Sequence, residues 1–221
     1  MSAAPEATTA IVARLRAARL VPVLVIDDAA DAVPLAGALA AGGLPVAEVT
    51  FRTAAAGEAL RRIAAEAPQL LAGAGTVLTP DQARQAADAG AKFVVAPGFG
   101  PAVVDWCLGH DLPVFPGVCT PTEVEAALTR GLTTLKFFPA EAAGGTAYLK
   151  ALAGPYGSVQ FIPTGGIGAA NVASYLALKN VVACGGSWMA PAEWVRGKEF
   201  DRIREETRNA VAAAGSIGGA R

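Results

Sequence analysis

Histidine and cysteine are scarce in this sequence, with one histidine and three cysteines among 221 residues. The single histidine, His110, stands in the polar turn GHDLP, where we expect an ordinary surface residue. The cysteines are odd in number and have no metal-type spacing, which favours buried thiols in a reducing cytoplasm over disulfides. This composition argues against a metal site built from these residues, and we expect no metal ion or other cofactor.

Long hydrophobic runs and an excess of one sign of charge are also absent from the sequence. Although 53% of the residues are hydrophobic, runs such as VPVLVI from Val21 are short, and none reaches the roughly 18 residues of a membrane span. A formal net charge of -1 without a basic block argues against a nucleic-acid partner. The opening segment, MSAAPEATTA, does not resemble a signal peptide. We therefore expect a cytoplasmic protein with a large core and neither a membrane nor a nucleic-acid partner.

Eight short apolar runs recur along the chain, and their first residues lie 19 to 27 positions apart. The runs are VPVLVI from Val21, VAEVTF from Val46, LLAGAGTVL from Leu70, FVVAPG from Phe93, PVFPGV from Pro113, LTTLKFFP from Leu132, VQFIP from Val159 and VVACGG from Val181. Alanine-rich helical stretches separate them, and TPDQ from Thr79 and TPTE from Thr120 are typical helix starts. Continuous apolar runs joined by helical crossovers indicate parallel strands that are buried on both faces.

Eight such β/α units predict one closed (β/α)8 TIM barrel that spans residues 1–221. An extra N-terminal helix from Glu6 to Arg19 is expected to cover the barrel floor. Residues 1–5 and 215–221 are expected to be frayed. An open doubly wound sheet is the alternative that the same alternation of elements allows.

Two of the runs carry a charged residue in mid-strand, Glu48 in the second and Lys136 in the sixth. In a ring of eight strands these two stand opposite each other, and barrel enzymes carry their reactive residues at the C-terminal ends of the strands. Alternation places Glu48, Thr50 and Arg52 on one face of the second strand. If that face and the face of Lys136 both point inward, the carboxylate and the amine meet across the barrel mouth.

A lysine in the barrel interior has a chemical use. Burial among Leu135, Phe137 and Phe138 favours the uncharged amine, which is the nucleophilic form and can attack a ketone to give a Schiff base. A nearby Glu48 carboxylate would then move protons during the bond-making and bond-breaking steps. The alternative is a structural ion pair, although desolvation makes such pairs poor stabilisers.

A second candidate site follows the last two strands, where PTGGIG and CGGSW occur. Loops at these positions commonly bind phosphate in (β/α)8 barrels, through backbone N–H groups and a helix N-terminus. Gly165, Gly166, Gly185 and Gly186 would let the backbone approach the phosphate oxygens, and Ser187 would add a hydroxyl. The alternative is that the glycines serve only to make turns.

Two further polar residues stand at strand ends. Arg52 ends the second strand and Thr76 ends the third, in the segment GAGT. A guanidinium can hold a carboxylate through two parallel hydrogen bonds, and a threonine hydroxyl can add a third. For Arg52 a salt bridge at the barrel rim is the alternative.

The sequence resembles the 2-keto-3-deoxy-6-phosphogluconate (KDPG) aldolases, which include the 2-keto-4-hydroxyglutarate (KHG) aldolases. Seven stretches carry the resemblance, in order along nearly the whole chain: GGLPVAEVTFRT, GAGTVLTPDQ, APGF, PGVCTPTE, LKFFPAEAAGG, FIPTGGI and GGSWM. The resemblance implies a metal-independent class I aldolase that forms a homotrimer of (β/α)8 barrels. It implies cleavage of KDPG to pyruvate and glyceraldehyde 3-phosphate, with 4-hydroxy-2-oxoglutarate as a second substrate.

The resemblance also implies roles for individual residues. Lys136 would be the Schiff-base lysine and Glu48 the general acid/base, while Arg52 and Thr76 would hold the pyruvate carboxylate. The other substrate contacts that it implies are Pro97, Phe138, Thr164, Gly165, Gly166, Gly186 and Ser187. Two departures concern substrate preference: the first strand ends in VIDD where some members have an arginine, and Cys119 stands where others often have serine or methionine.

Three alternatives to this function stay open. A 2-keto-3-deoxy-6-phosphogalactonate aldolase differs only in the configuration at C4, which the sequence does not resolve. A sugar-phosphate epimerase or isomerase would share the phosphate loops but would use paired carboxylates or a histidine-bound metal. A non-catalytic trimeric barrel, used as a structural building block, would retain the same residues without their activity.

Overall fold

The computed structural model describes residues 4–215, and within this range nine short parallel strands surround a central apolar core. Each strand falls within or beside one of the apolar runs, because a strand that is buried on both faces needs apolar side chains at every position. The strands are β1 (Leu20–Leu24), β2 (Val46–Thr50), β3 (Leu71–Gly75), β4 (Val94–Val95), β5 (Val114–Phe115), β6 (Gly117–Val118), β7 (Thr134–Phe137), β8 (Gln160–Pro163) and β9 (Cys184–Gly186).

The nine strands form the eight staves of one ring. One sheet has the order β5-β4-β3-β2-β1-β9 and the other has the order β6-β7-β8. Only Pro116 separates β5 from β6, so together they are the fifth stave, interrupted where proline offers no N–H. Bridges from Phe161 to Val181 and from Thr164 to Gly185 join β8 to the last stave and close the ring. The predicted (β/α)8 barrel is therefore confirmed, and the open-sheet alternative is wrong.

Helices connect the strands on the outside of the ring. Thr79 and Thr120 cap two of them as predicted: each hydroxyl accepts a hydrogen bond from the backbone N–H three residues later. No helix within residues 4–215 combines the length and the apolar character needed to span a bilayer. The helices are α1 (Ala4–Ala18), α2 (Ala32–Ala41), α3 (Ala56–Glu66), α4 (Pro80–Asp88), α5 (Pro101–Gly109), α6 (Pro121–Leu128), α7 (Gly145–Leu152), α8 (Val172–Leu176), α9 (Ala192–Arg196) and α10 (Phe200–Gly215), with a 3-10 turn at Ala29–Asp31.

Helix α1 covers the end of the barrel at which the strands begin, as predicted. Leu15 is fully buried there, and Ile11 and Val12 pack against the same interior cluster. That cluster is formed mainly by residues near the starts of the strands, including Val21, Val46, Leu71, Phe93 and Ile162. The floor is thus sealed by side chains, which leaves the opposite end for chemistry.

The expectation that residues 1–5 and 215–221 are frayed stays a prediction. Ala4 and Pro5 belong to α1, and Gly215 is the last residue of α10. Residues 1–3 and 216–221 lie outside the described residues. The single-domain organisation over residues 1–221 stays a prediction.

Candidate active site

Lys136 and Glu48 meet inside the barrel at 3.4 Å between Nζ and Oε1. Their side chains are only 6% and 4% exposed, so the contact lies in the barrel interior and not on its rim. Lys136 comes from β7 and Glu48 from β2, which belong to the two different sheets. Opposite position in the ring and inward alternation thus bring the two together as expected from the sequence.

The surroundings of Lys136 differ in part from the expectation. Leu135 and Phe137 belong to the outer core between strands and helices, because neighbours on a strand point to opposite faces. Phe138 is the aromatic residue beside the amine, with its ring centroid 5.3 Å from Lys136 Nζ. The expected apolar contact therefore holds for Phe138 and is wrong for the two residues that flank the lysine.

Gly75 creates the space that the Glu48 carboxylate occupies. A Cβ atom at position 75 would lie 2.2 Å from Glu48 Oε1, far inside van der Waals contact. The neighbouring strands β2 and β3 are in register here, with Thr50 opposite Gly75. A glycine at the end of β3 is thus a condition for the orientation of Glu48, and sequence reasoning gave it no such role.

Arg52 is held by a threonine that the sequence analysis did not select. Arg52 Nε donates to Thr50 Oγ1 at 3.3 Å, and Thr50 Oγ1 in turn donates to the carbonyl of Leu24 at 2.7 Å. Thr50 is buried, whereas Arg52 is exposed at the end of the strand. The relay fixes the inner end of the guanidinium and leaves its two terminal nitrogens for an anion. The sequence did contain a sign of this role for Thr50, because Thr50 lies between Glu48 and Arg52 on the same face of the strand.

A cavity of about 110 Å³ lies at the C-terminal ends of the strands. Six of the predicted substrate contacts line it, together with two apolar side chains. The lining residues are Val23, Arg52, Thr164, Gly165, Gly166, Ile167, Gly186 and Ser187. One arginine, two hydroxyl groups and several glycine backbones around one small space are suited to binding a phosphate or carboxylate group.

The glycine pairs differ in their roles. Gly165 and Gly166 have φ values of +103° and +75°, a conformation that side chains other than glycine rarely adopt. Gly185 does not line the cavity; instead a Cβ there would lie 2.3 Å from Thr164 Oγ1. Gly185 therefore allows the close approach of β8 and β9. The cavity geometry gives no support to its expected role in binding phosphate.

Three predicted contacts lie outside this cavity. Thr76 has a φ of +55°, so it leaves β3 in a left-handed turn, while Phe138 stands beside the lysine as described. Pro97 follows β4, and its carbonyl packs against Gly117, where a Cβ would be 2.1 Å away. Glu48 and Lys136 also lie outside the cavity lining. The structure thus contains a buried lysine–glutamate pair and, at the strand ends, a cavity whose lining is suited to an anion.

The described residues contain no group of three histidine, cysteine, aspartate or glutamate side chains arranged to hold a metal ion. His110 is exposed, as predicted, and its ring stacks on Trp106 at 3.9 Å between centroids. Burial raises the pKa of the Cys107 and Cys184 thiols to about 12, which keeps both in the unreactive thiol form.

Comparison with known proteins identifies relatives of the whole barrel. The sequence profile of the family "KDPG and KHG aldolase" matches residues 11–206. A 2-dehydro-3-deoxy-phosphogluconate aldolase of Treponema pallidum is 52% identical over 189 residues, which cover 86% of this chain and 90% of the relative. The KHG/KDPG aldolase of Escherichia coli is 46% identical and covers 88% of this chain and 92% of its own.

A solved structure agrees with these relatives. The KDPG aldolase of Legionella pneumophila, crystallised with pyruvate captured as a covalent carbinolamine intermediate, superposes with a TM-score of 0.87. It is 41% identical and covers 90% of this chain and 96% of its own. The family profile, which matches residues 11–206, covers the staves that carry Lys136 and Glu48 and the loops that form the cavity. The chain belongs to the KDPG and KHG aldolase family.

Proposed function

We propose that this protein is a class I aldolase that cleaves KDPG to pyruvate and glyceraldehyde 3-phosphate. It also splits 4-hydroxy-2-oxoglutarate into pyruvate and glyoxylate, the second reaction in the name of its family. The observation that carries the proposal is the buried 3.4 Å pair of Lys136 and Glu48 beside an anion-binding cavity. The covalent pyruvate adduct of the Legionella relative supports the same chemistry.

The proposed reaction begins with addition of uncharged Lys136 Nζ to the C2 ketone, which gives a carbinolamine. Glu48 protonates the departing hydroxyl, and water leaves to form the iminium ion. The C3–C4 bond then breaks: its electrons move to C3 to form an enamine, and the C4 hydroxyl loses its proton to the Glu48 carboxylate. Glyceraldehyde 3-phosphate departs. Protonation of the enamine at C3 and hydrolysis release pyruvate and the free lysine.

The polar residues at the strand ends orient the substrate for this reaction. Arg52, held by Thr50, takes the carboxylate with Thr76, while Thr164, Pro97 and Phe138 surround the keto acid. Contacts to the phosphate, far from the breaking bond, contribute orientation and lower the entropic cost of reaching the transition state. These contacts come from Gly165, Gly166, Gly186 and Ser187, which line the cavity.

Trapping with borohydride tests the proposed nucleophile. Incubation with pyruvate and borohydride should reduce the imine and leave a carboxyethyl group on Lys136, located by peptide mass spectrometry. Lys136→Met should abolish both the adduct and cleavage of KDPG while preserving the fold. As a matched control, Lys150→Met removes an exposed lysine of α7 and should retain both. An adduct on another lysine, or none on the wild type, would overturn the assignment.

Assembly, compartment and metal independence belong to the same proposal. We propose a homotrimer on the basis of the resemblance, and sedimentation equilibrium tests it. The three free cysteines, two of them buried, support a reducing cytoplasm, which fractionation tests. Because the lysine amine and one carboxylate supply all the proposed chemistry, activity should survive dialysis against EDTA.

A further inference from the structure

The segment after β7 is joined to the anion-binding loop after β8. The backbone N–H of Ala140 donates to the carbonyl of Thr164 at 2.8 Å, and that of Glu141 donates to the carbonyl of Gly165 at 3.1 Å. The side chain of Glu141 covers Gly166, where a Cβ would lie 2.7 Å from Glu141 Cβ and Cγ. A carboxylate is therefore mounted on the back of the loop that lines the cavity.

Tyr175 determines where this carboxylate points. Tyr175 lies on α8 and is fully buried, and its phenol donates a hydrogen bond to Glu141 Oε1. Gly145 packs beside both groups: a Cβ there would lie 3.3 Å from the phenol oxygen and 3.4 Å from Glu141 Oε1. Burial raises the pKa of the Tyr175 phenol, and the hydrogen bond to Glu141 raises it further, so the phenol remains a donor at neutral pH.

The restraint matters because Glu141 and the substrate phosphate have charge of the same sign. Gly165 and Gly166 line the cavity, and Glu141 is attached to the first by its backbone and packed on the second. Glu141 is otherwise exposed, so a released side chain could swing toward the donors that surround the cavity. There it would repel the phosphate and compete for the same N–H groups.

We propose that Tyr175 is a positioning residue that holds the Glu141 carboxylate away from the anion-binding cavity and so maintains the preference for phosphorylated keto acids. This inference rests on the proposed function, since it concerns how that site distinguishes its substrates. Tyr175 is not among the residues that line the cavity. Its effect reaches the phosphate only through the orientation of Glu141.

Tyr175→Phe tests the proposal because it keeps the buried ring and removes only the hydroxyl. The KM for KDPG should rise about fivefold to tenfold, as expected for a nearby like charge. The kcat/KM for 4-hydroxy-2-oxoglutarate, which has no phosphate, should change less than about twofold. Tyr156→Phe is the matched control. Tyr156, which precedes β8, also donates a hydrogen bond to an exposed glutamate, Glu125, at 3.0 Å, but neither residue lines the cavity. Equal changes for both substrates, or no change, would overturn the proposal.

A calorimetric titration with inorganic phosphate tests the same point without relying on cleavage. The phosphate Kd should rise about fivefold to tenfold in Tyr175→Phe and stay unchanged in Tyr156→Phe. The double variant Tyr175→Phe/Glu141→Gln should recover a Kd within about twofold of the wild type, since the released side chain no longer has a charge. Lack of recovery would overturn the proposal. Loss of cleavage in the wild type, with these phosphate results intact, would overturn only the proposed function.

The single variant Glu141→Gln covers the case in which Tyr175→Phe does not fold, as judged by thermal unfolding. Its amide oxygen still accepts from the phenol, so the loop geometry is retained. Phosphate should bind as tightly as in the wild type or more tightly. Weaker binding would mean that the Glu141 charge assists the site, and the proposal would be wrong.

Discussion

At the scale of single residues, the candidate site depends as much on a missing side chain as on those present. Glu48 has its position only because Gly75, on the neighbouring strand, leaves room for the carboxylate. Lys136 and Glu48 are 88 residues apart in sequence, so their distance is set by the barrel and refined by such local clearances. Because protein interiors are closely packed, a side chain added at position 75 would have to displace the carboxylate from this position.

Gly75→Ala should therefore disable the reaction without removing any reactive group. A methyl group 2.2 Å from Glu48 Oε1 forces the carboxylate away from Lys136, and kcat for KDPG cleavage should fall about a hundredfold or more, the usual contribution of a general acid/base. Gly57→Ala is the control, because a Cβ there has nothing within 4 Å. Its kcat should match the wild type. Full activity in Gly75→Ala would mean that Glu48 is not needed.

The facing of Lys136 and Glu48 could be predicted from sequence, because alternation along a strand and opposition in a ring follow from counting. The space that Gly75 leaves for Glu48 could not be predicted. In a sequence, a glycine that makes a turn at a strand end cannot be told from one that leaves room for a neighbouring side chain. The role of Tyr175 could not be predicted either, because the sequence gives it the appearance of an ordinary aromatic core residue on α8. Only the folded contact with Glu141 reveals its polar role.

At the scale of elements, two helices begin with almost the same arrangement, one charged and one neutral. At α6, the Glu123 carboxylate accepts from the backbone N–H groups of Cys119 and Thr120. At α4, the Gln82 amide oxygen accepts from the N–H of Leu78. Both segments were predicted as helix starts because Thr-Pro followed by Glu or Gln satisfies free N–H groups of the first turn.

The charged start should give α6 an acid-sensitive contribution to stability. Burial alone would raise the pKa of the Glu123 carboxyl, but the hydrogen bonds from Cys119 and Thr120 outweigh it and lower the pKa. A lowered pKa in the folded state means that the unfolded chain binds more protons. The contribution is therefore complete above the unfolded pKa and declines as pH falls through the folded pKa.

Urea unfolding measures this effect across a pH series. The difference in unfolding free energy between the wild type and Glu123→Gln should be constant near neutral pH and shrink as the pH falls below about 4.5, the unperturbed glutamate value. For Gln82→Ala at α4 the difference should not change with pH, because no charge is involved. A parallel decline in both pairs would assign the acid sensitivity to another group.

Pro116 marks the limit of prediction at this scale. The run PVFPGV predicted one strand, whereas the structure has β5 and β6 on either side of the proline. The ladder nevertheless continues, since the carbonyl of Pro116 accepts from the N–H of Lys136 at 3.0 Å. Proline lacks only the donor, so it interrupts the hydrogen-bond pattern on one side and leaves the stave in place.

At the scale of the whole molecule, stability and chemistry occupy opposite ends of the barrel. The floor is an apolar cluster sealed by α1, while the cavity and the exposed Arg52 lie where the strands end. The spacing of eight apolar runs predicted this architecture because each crossover helix needs a similar length of chain. The homotrimer stays a proposal, because no surface pattern in the sequence predicts it and only the family resemblance implies it.

Leu15→Ala tests this division. Removing a fully buried leucine from the floor should lower the free energy of unfolding by about 2–5 kcal/mol, measured by urea denaturation. At 25 °C the kcat/KM for KDPG should stay within about twofold of the wild type, because the folded population remains dominant. Leu78→Ala makes the same truncation at a residue that is 60% exposed and should cost less than about 0.5 kcal/mol. A large loss of kcat/KM in folded Leu15→Ala would contradict the division.

The contact between Lys136 and Glu48 joins a residue of the six-stranded sheet to one of the three-stranded sheet. Neither sheet alone contains both partners, so a partly assembled chain with only one sheet in place presents a solitary amine or a solitary carboxylate. We therefore expect efficient imine formation only after the two sheets have joined, and the appearance of pyruvate trapping during refolding would time that event.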